Sequence, residues 1–164
     1  MSTKAYLHTG SNMGDRSANL RHALELIRER AGSPGAFSRI YETAAWGKED
    51  QPDFLNQALL LQTDLPPRQL MQCLLDIEQE MGRERRERWG QRLIDIDLLF
   101  YGSVRLQIEG LTLPHPRLHK RNFVLCPLQE IAPDFVHPEL QQTIEQLAQA
   151  CGDPLPAAPF QSGD

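Results

Sequence analysis

Between Gly82 and Phe100 the chain reads GRERRERWGQRLIDIDLLF, and this stretch holds the residues whose types and spacing best suit chemistry. Asp95 and Asp97 are two apart, so on a strand both carboxylates project from one face, about 7 Å apart at their Cα atoms. Like charges placed so closely repel unless a cation lies between them. Divalent ions such as Mg2+ answer that, because they take oxygen ligands from one or two carboxylates and complete their shell with water and substrate phosphates. A bare D-x-D is more often the solvated acidic face of a strand. What precedes it shifts the balance toward a site.

Arg83, Arg85, Arg86, Arg88 and Arg92 fall within ten residues, diluted by Glu84 and Glu87, in a chain of net charge −5. Guanidinium forks match phosphate oxygens two bonds at a time. Arginines on a loop bracketed by Gly82 and Gly90 therefore suit a lid that closes over a polyphosphate, and Trp89 in that charged loop has no obvious core to join. A solvated charge run is the competing reading.

The elements that must position these groups are legible from periodicity. Ile94, Ile96, Leu98 and Phe100 alternate with the aspartates and read as the core side of the same strand. Upstream, Lys4 to Thr9 reads as a strand and Gly10 to Asp15 as a tight turn, with Asp15 capping a helix over Arg16 to Arg30 whose stripe is Leu20, Leu24 and Ile27. The glycine turn matches neither dinucleotide nor phosphate-loop spacing. A turn at Gly32 to Gly35 leads into a strand at Ala36 to Thr43, a polar loop to Asp53 and an apolar strand from Phe54 to Thr63. Pro66 and Pro67 open a second helix, with Leu70, Leu74, Ile77 and Met81 in phase, ending near Gly82. After Phe100 the chain turns into a hairpin arm at Val104 to Ile108, then a helix over Val124 to Ala132 and another over Leu140 to Ala150. The order strand, helix, strand, strand, helix, strand is the ferredoxin-like α+β arrangement: an antiparallel sheet with two helices on one face, here with an added hairpin and C-terminal helices.

At 164 residues and 40% hydrophobic, the chain can bury one sizeable core, which predicts a single domain over 1–151. The tail, 152–164, rich in proline and small residues, is expected to be disordered. The acidic balance disfavours nucleic acid and anionic membranes as partners. Cys73, Cys126 and Cys151 are odd in number and widely spaced, which predicts reduced thiols in the cytoplasm. Nothing approaches the roughly 18 apolar residues of a membrane span. His115 and His119 are four apart, but Pro114 and Pro116 break the helix that would pair them on zinc.

The run G-R-x-R-x-x-R-W-G-x-R-x-I-D-I-D is followed by P-H-P-R-L-H-x-R-x-F-V-L-x-P-L over Pro114 to Leu128, with G-S-N-x-G at Gly10 and Q-P-D-F-L-N at Gln51. Together they resemble the 6-hydroxymethyl-7,8-dihydropterin pyrophosphokinases of folate biosynthesis, from about Ala5 to Pro133. The resemblance implies the strand order. It also implies transfer of pyrophosphate from ATP to the pterin hydroxymethyl group with release of AMP, using two Mg2+ held by Asp95 and Asp97. Arg83, Arg85, Arg92 and Asp97 would be catalytic. Glu78, Arg85, Trp89, Arg92, Leu98, Thr112, His115 and Arg121 would bind ATP. Thr43, Ala44, Trp46, Phe54, Asn56, Trp89, Asp95 and Phe123 would bind the pterin, with Phe54 and Phe123 stacking on opposite faces. An asparagine side chain suits a pterin edge because it offers both a donor and an acceptor.

The proton of the attacking hydroxyl either leaves once coordination lowers its pKa or passes to Asp97. Ala44, Phe54 and Gln91 stand where the family usually has proline, tyrosine and proline, and Gly110 stands where some members carry arginine. A monomer is expected, with ATP and the pterin as its partners. Two other classes compete. An RNA-recognition domain needs aromatics on the central strand and a basic surface. Another two-metal enzyme, a nuclease or a kinase releasing ADP, is separated by its nucleotide product.

Overall fold

The computed structural model of the chain describes residues 2–44, 52–82 and 93–161. β1 (Thr3–Ser11) runs through the sheet interior, paired antiparallel with β4 (Phe54–Thr63) on one side and β5 (Asp95–Tyr101) on the other. The far edge of β4 carries two short strands in succession, β2 (Ser33–Phe37) against its C-terminal half and β3 (Tyr41–Thr43) against its N-terminal half. With α1 (Arg16–Arg30) after β1 and α2 (Pro67–Gly82) after β4, this is the ferredoxin-like βαββαβ arrangement, its second strand broken in two.

That break corrects the expected single strand from Ala36 to Thr43. Strand geometry begins earlier, at Ser33, and stops at Ser38. Ser38 N donates to Ala58 O at 2.9 Å, while Ala58 N donates to Ser38 Oγ at 3.0 Å and Gln57 Nε2 to Ser38 O at 2.8 Å. A side-chain hydroxyl thus stands in for a ladder carbonyl, which kinks the edge.

Both helices lie on one face of the sheet. Asp15 caps α1, accepting from Ala18 N at 3.2 Å, and Arg28 and Arg30 in the last turn complement the helix dipole. Leu20, Ala23 and Ile27 of α1 and Leu70, Leu74 and Ile77 of α2 meet Ala5, Leu7, Leu59, Ile96 and Leu98 in the first core. On the other face, α3 (Asn122–Ile131) and α4 (Ile144–Ala150) bury Tyr6, Ala58, Leu99 and Phe100 in a second core. They cover only part of that face.

Phe100 corrects a second expectation, because simple alternation puts it on the same face as Ile94, Ile96 and Leu98. The β1–β5 register slips between Tyr6 and Leu7, whose partners are Phe100 and Leu98. Leu99 is the extra residue of a bulge, and beyond it the side chains exchange faces. Phe100 accordingly packs on Tyr6 and Phe135, at centroid distances of 6.1 and 4.7 Å.

The hairpin arm expected at Val104 to Ile108 is β6 (Leu106–Ile108), and its partner is β7 (Leu111–Leu113), turning at Gly110 with φ +81°. The last helix starts at Ile144 instead of Leu140, because Thr143 and Gln146 form a reciprocal capping box there. The tail from Gly152, expected to be disordered, is tied down through residue 161. Asn122 donates to Asp153 and Leu155, β8 (Ala158–Pro159) pairs with β3, and Phe160 N donates to Ile40 O at 2.8 Å. The Phe160 ring packs on the first core beneath the Arg16 guanidinium. Among the described residues no helix is long and apolar enough to cross a membrane.

Candidate active site

The part of the second face that α3 and α4 leave uncovered is the floor of a cavity of about 210 Å³. Register explains who meets there. Asp95 lies opposite Gly10, and Gly10 opposite Asn56, in one row across β5, β1 and β4. The next row on the same face is Asp97, His8 and Ala58. Thr43, Ala44 and Phe54 close one end of the cavity, and Arg121 and Phe123, at the start of α3, close the other. Gly10 is there because of space: a Cβ would stand 3.3 Å from Asn56 Oδ1 and 3.5 Å from His8 Cε1. It belongs to β1, so the tight turn expected from Gly10 begins only after Ser11.

Two of the sequence motifs brace this end of the sheet together. Asn12 Nδ2 donates to Pro52 O at 3.2 Å, and Arg16 Nη1 donates to Asp53 O at 2.8 Å and to Glu42 Oε2 at 2.9 Å. The residues after β1 therefore hold the entry to β4, where Phe54 and Asn56 sit. Asn56 Nδ2 in turn donates to Thr43 Oγ1 at 2.9 Å, and both side chains are buried. Their polar atoms are fixed before any ligand arrives.

At the other end, Asp97 is 40% exposed and its Oδ2 lies 3.8 Å from His8 Nδ1. Burial by itself would raise the Asp97 pKa, but His8, His115 and Arg121 beside it outweigh that and hold the carboxyl below its usual range. His115 reaches this place through the segment containing the cis Leu113–Pro114 bond, its own N–H donating to Leu99 O at 2.9 Å. Burial pushes its imidazole below the ordinary histidine range, with Asp97 pulling the other way. The Arg121 guanidinium lies 5.5 Å over the Phe123 ring.

Other residues expected at the site sit differently. Glu78, at the end of α2, accepts the Ile96 amide at 2.5 Å and so braces the strand between the two aspartates. Leu98 is buried in the first core, on the opposite face from Asp97. Thr112 is exposed on the β6–β7 hairpin. Trp46, Arg83, Arg85, Trp89 and Arg92 lie outside the described residues, as do Arg86, Arg88 and Gln91. Sequence reasoning missed His8 and the cavity-lining place of Gly10. Alternation along β1, carried past Tyr6, was the signal available for both.

Comparison with known proteins follows the same outline. The family model described as 7,8-dihydro-6-hydroxymethylpterin-pyrophosphokinase matches residues 6–133. A 2-amino-4-hydroxy-6-hydroxymethyldihydropteridine pyrophosphokinase of Methylorubrum extorquens is 47% identical over 138 residues, covering 82% of this chain and 85% of that protein. The Bacillus subtilis protein of the same name is 44% identical over 132 residues, covering 80% and 79%. Among solved structures, a Plasmodium falciparum HPPK-DHPS triple mutant superposes with a TM-score of 0.74 at 18% identity over 91% of this chain, which shows the shared fold. The chain spans 43% of that longer protein. The match across most of the sequence, together with relatives at 47% and 44% identity, shows that the chain belongs to the 7,8-dihydro-6-hydroxymethylpterin-pyrophosphokinase family.

Proposed function

We propose that the cavity on the half-covered face holds both reactants, the pterin toward Thr43, Phe54 and Asn56 and the ATP polyphosphate toward Asp95, Asp97, His115 and Arg121. Family membership makes the protein a pyrophosphokinase of folate biosynthesis acting on a hydroxymethyl dihydropterin. The donor in this reading is ATP. The pterin hydroxymethyl oxygen bonds to the β-phosphorus, the bond from that phosphorus to the α–β bridging oxygen breaks, and AMP leaves with the bridging oxygen. The hydroxyl proton is released.

Asn56 and Thr43 bind and orient. Thr43 Oγ1 already accepts one Asn56 N–H, so the amide plane is fixed and its remaining atoms can read a flat amide and amino edge. Phe54 and Phe123 line the cavity from its two ends and offer ring faces to the heterocycle. Arg121 and His115 bring positive charge and donors to the phosphate side. The lid arginines Arg83, Arg85 and Arg92, with Trp46 and Trp89, complete the site in this reading.

Asp95 and Asp97 fit Mg2+. They are hard oxygen donors lining one cavity from a single strand face, and Asp97 is held ionised. Among the described residues no group of three or more His, Cys, Asp or Glu side chains forms a cage, which suits ions that complete their shell from phosphate and water. When bound, two Mg2+ supply charge neutralisation to the triphosphate. A carboxyl with a depressed pKa is a poor proton acceptor near neutral pH, which favours Asp97 as a ligand over Asp97 as the general base. Within this reading the protein works in the cytoplasm as a monomeric single-domain enzyme, without nucleic acid or membrane.

The observation that carries the proposal is the convergence of Asn56, both aspartates, Arg121 and Phe123 on one cavity. Incubation with ATP, Mg2+ and 6-hydroxymethyl-7,8-dihydropterin should yield AMP and the pterin pyrophosphate. ADP as the nucleotide product, or no turnover, would overturn it.

A further inference from the structure

His8 is a buried polar group at the site that the mechanism above leaves unused. It is 3% exposed, and neither Nδ1 nor Nε2 has a hydrogen-bond partner among the described residues. Folded proteins seldom leave a buried nitrogen unpaired, because the group loses its water and gains nothing in return. Its surroundings restrict where a partner can come from. Across the β1–β4 ladder it faces Ala58, which has no polar side chain, and the Phe123 ring meets the imidazole edge to face at 5.5 Å. Across the β1–β5 ladder it faces Asp97.

Nδ1 is 3.8 Å from Asp97 Oδ2, beyond the 2.7–3.2 Å expected of a bond (about that range for N–H···O) yet within reach of a small side-chain rotation. We propose that His8 is a positioning residue for Asp97, its Nδ1–H closing onto Oδ2 when the site is loaded and leaving Oδ1 turned into the cavity. A single ring N–H suits this task. It fixes the carboxylate through one directed bond and leaves the negative charge in place for a cation, as the outer partners of ligating carboxylates do. A lysine in its place would neutralise the charge the site needs.

This inference rests on the reading of Asp97 as a phosphate-side carboxylate, and its test separates the two. His8→Leu fills the ring's place without a donor, and His8→Asn returns an N–H near the Nδ1 position. His8→Leu should lower kcat by about tenfold to a hundredfold, the usual cost of losing such a partner. The pterin KM should stay within about twofold, and His8→Asn should recover most of the rate.

A readout independent of turnover is the imidazole itself, followed by NMR in the full-length protein with nitrogen-labelled histidine and assigned through its absence in His8→Asn. Adding Mg2+ with α,β-methylene-ATP should bring up a downfield, exchange-protected Nδ1–H signal, and Asp97→Ala should abolish it. Should His8→Leu fail to fold, His8→Asn and this signal decide the matter. If Asp97→Ala remains active, the site reading and this inference fall together. If Asp97→Ala is inactive while His8→Leu turns over like the unaltered protein, or if the ring signal ignores Asp97→Ala, the positioning role alone is wrong.

Discussion

Asn56 and Thr43 are joined side chain to side chain across the β3–β4 ladder, 2.9 Å from Nδ2 to Oγ1, in a buried corner of the cavity. The bond uses one of the amide's two N–H donors, the Phe54 carbonyl lies 3.5 Å from the same nitrogen, and together they fix the direction of the amide and of its Oδ1. Asn56→Ala removes those donors and leaves Thr43 Oγ1 without its partner. Losing such buried bonds costs roughly 1–3 kcal/mol, so the pterin KM should rise about tenfold or more while the KM for ATP changes little. Steady-state kinetics with each substrate varied in turn distinguishes this from a general loss of folded enzyme, which would leave both KM values alone.

Asp97→Ala should lower turnover by at least about a hundredfold, the scale on which electrostatic groups at a reacting centre act. Pterin affinity, measured by fluorescence titration, should persist, because the Asn56 end of the cavity is untouched. Loss of both together would give the β5 aspartate a structural role instead.

Much of this site could be read in the chain before any coordinates. Asp95 and Asp97 do share a face of β5 and do line the cavity, because period-two alternation holds over Ile94 to Leu98. It fails one step later, at Phe100, because a bulge at Leu99 is decided by pairing with β1 and leaves no mark in composition. Ser38 breaks the second strand for a similar reason, since its hydroxyl finds Ala58 only once the sheet exists. Alternation along β1 puts His8 on the face of Gly10, but its pairing with Asp97 is legible only once the strand opposite is known.

The C-terminal tail misled for another reason. Proline and small residues cannot form a core, yet a few anchors suffice to dock them, and here Asp153, Leu155 and Phe160 supply these. Truncation after Pro156 removes β8 and Phe160. It should lower Tm by several degrees, about 1–2 kcal/mol for a partly buried aromatic, and Phe160→Ala should reproduce most of the shift. An unchanged melting curve for both would mean that the strap adds nothing to β3.

Glu130 supplies a test by pH. Its carboxylate accepts from Arg39 N at 2.7 Å, Arg39 Nε at 2.9 Å and Tyr41 Oη at 2.7 Å. Partial burial would raise its pKa, but the bonds from Tyr41 and Arg39 outweigh this and hold it below the usual range. A folded-state pKa below the unfolded value, about 4.3, stabilises the fold above that pH, and the contribution is lost as pH falls through the lower folded-state pKa. Glu130→Gln should therefore cost about 1 kcal/mol in urea melts at pH 7, and the gap should narrow steadily in acid. A gap that stays constant down to pH 3 would show that the charge is irrelevant.

The central claim is that one cavity on the half-covered face of the sheet grips the pterin at Asn56 and the polyphosphate at the aspartate pair. A crystal structure with Mg2+, α,β-methylene-ATP and the hydroxymethyl pterin tests it most directly. The expected result is metal density bridging Asp95 and Asp97 to the phosphates, with the pterin edge on Asn56 and its ring between Phe54 and Phe123. Nucleotide bound elsewhere, or both aspartates without an ion beside bound nucleotide, would contradict it.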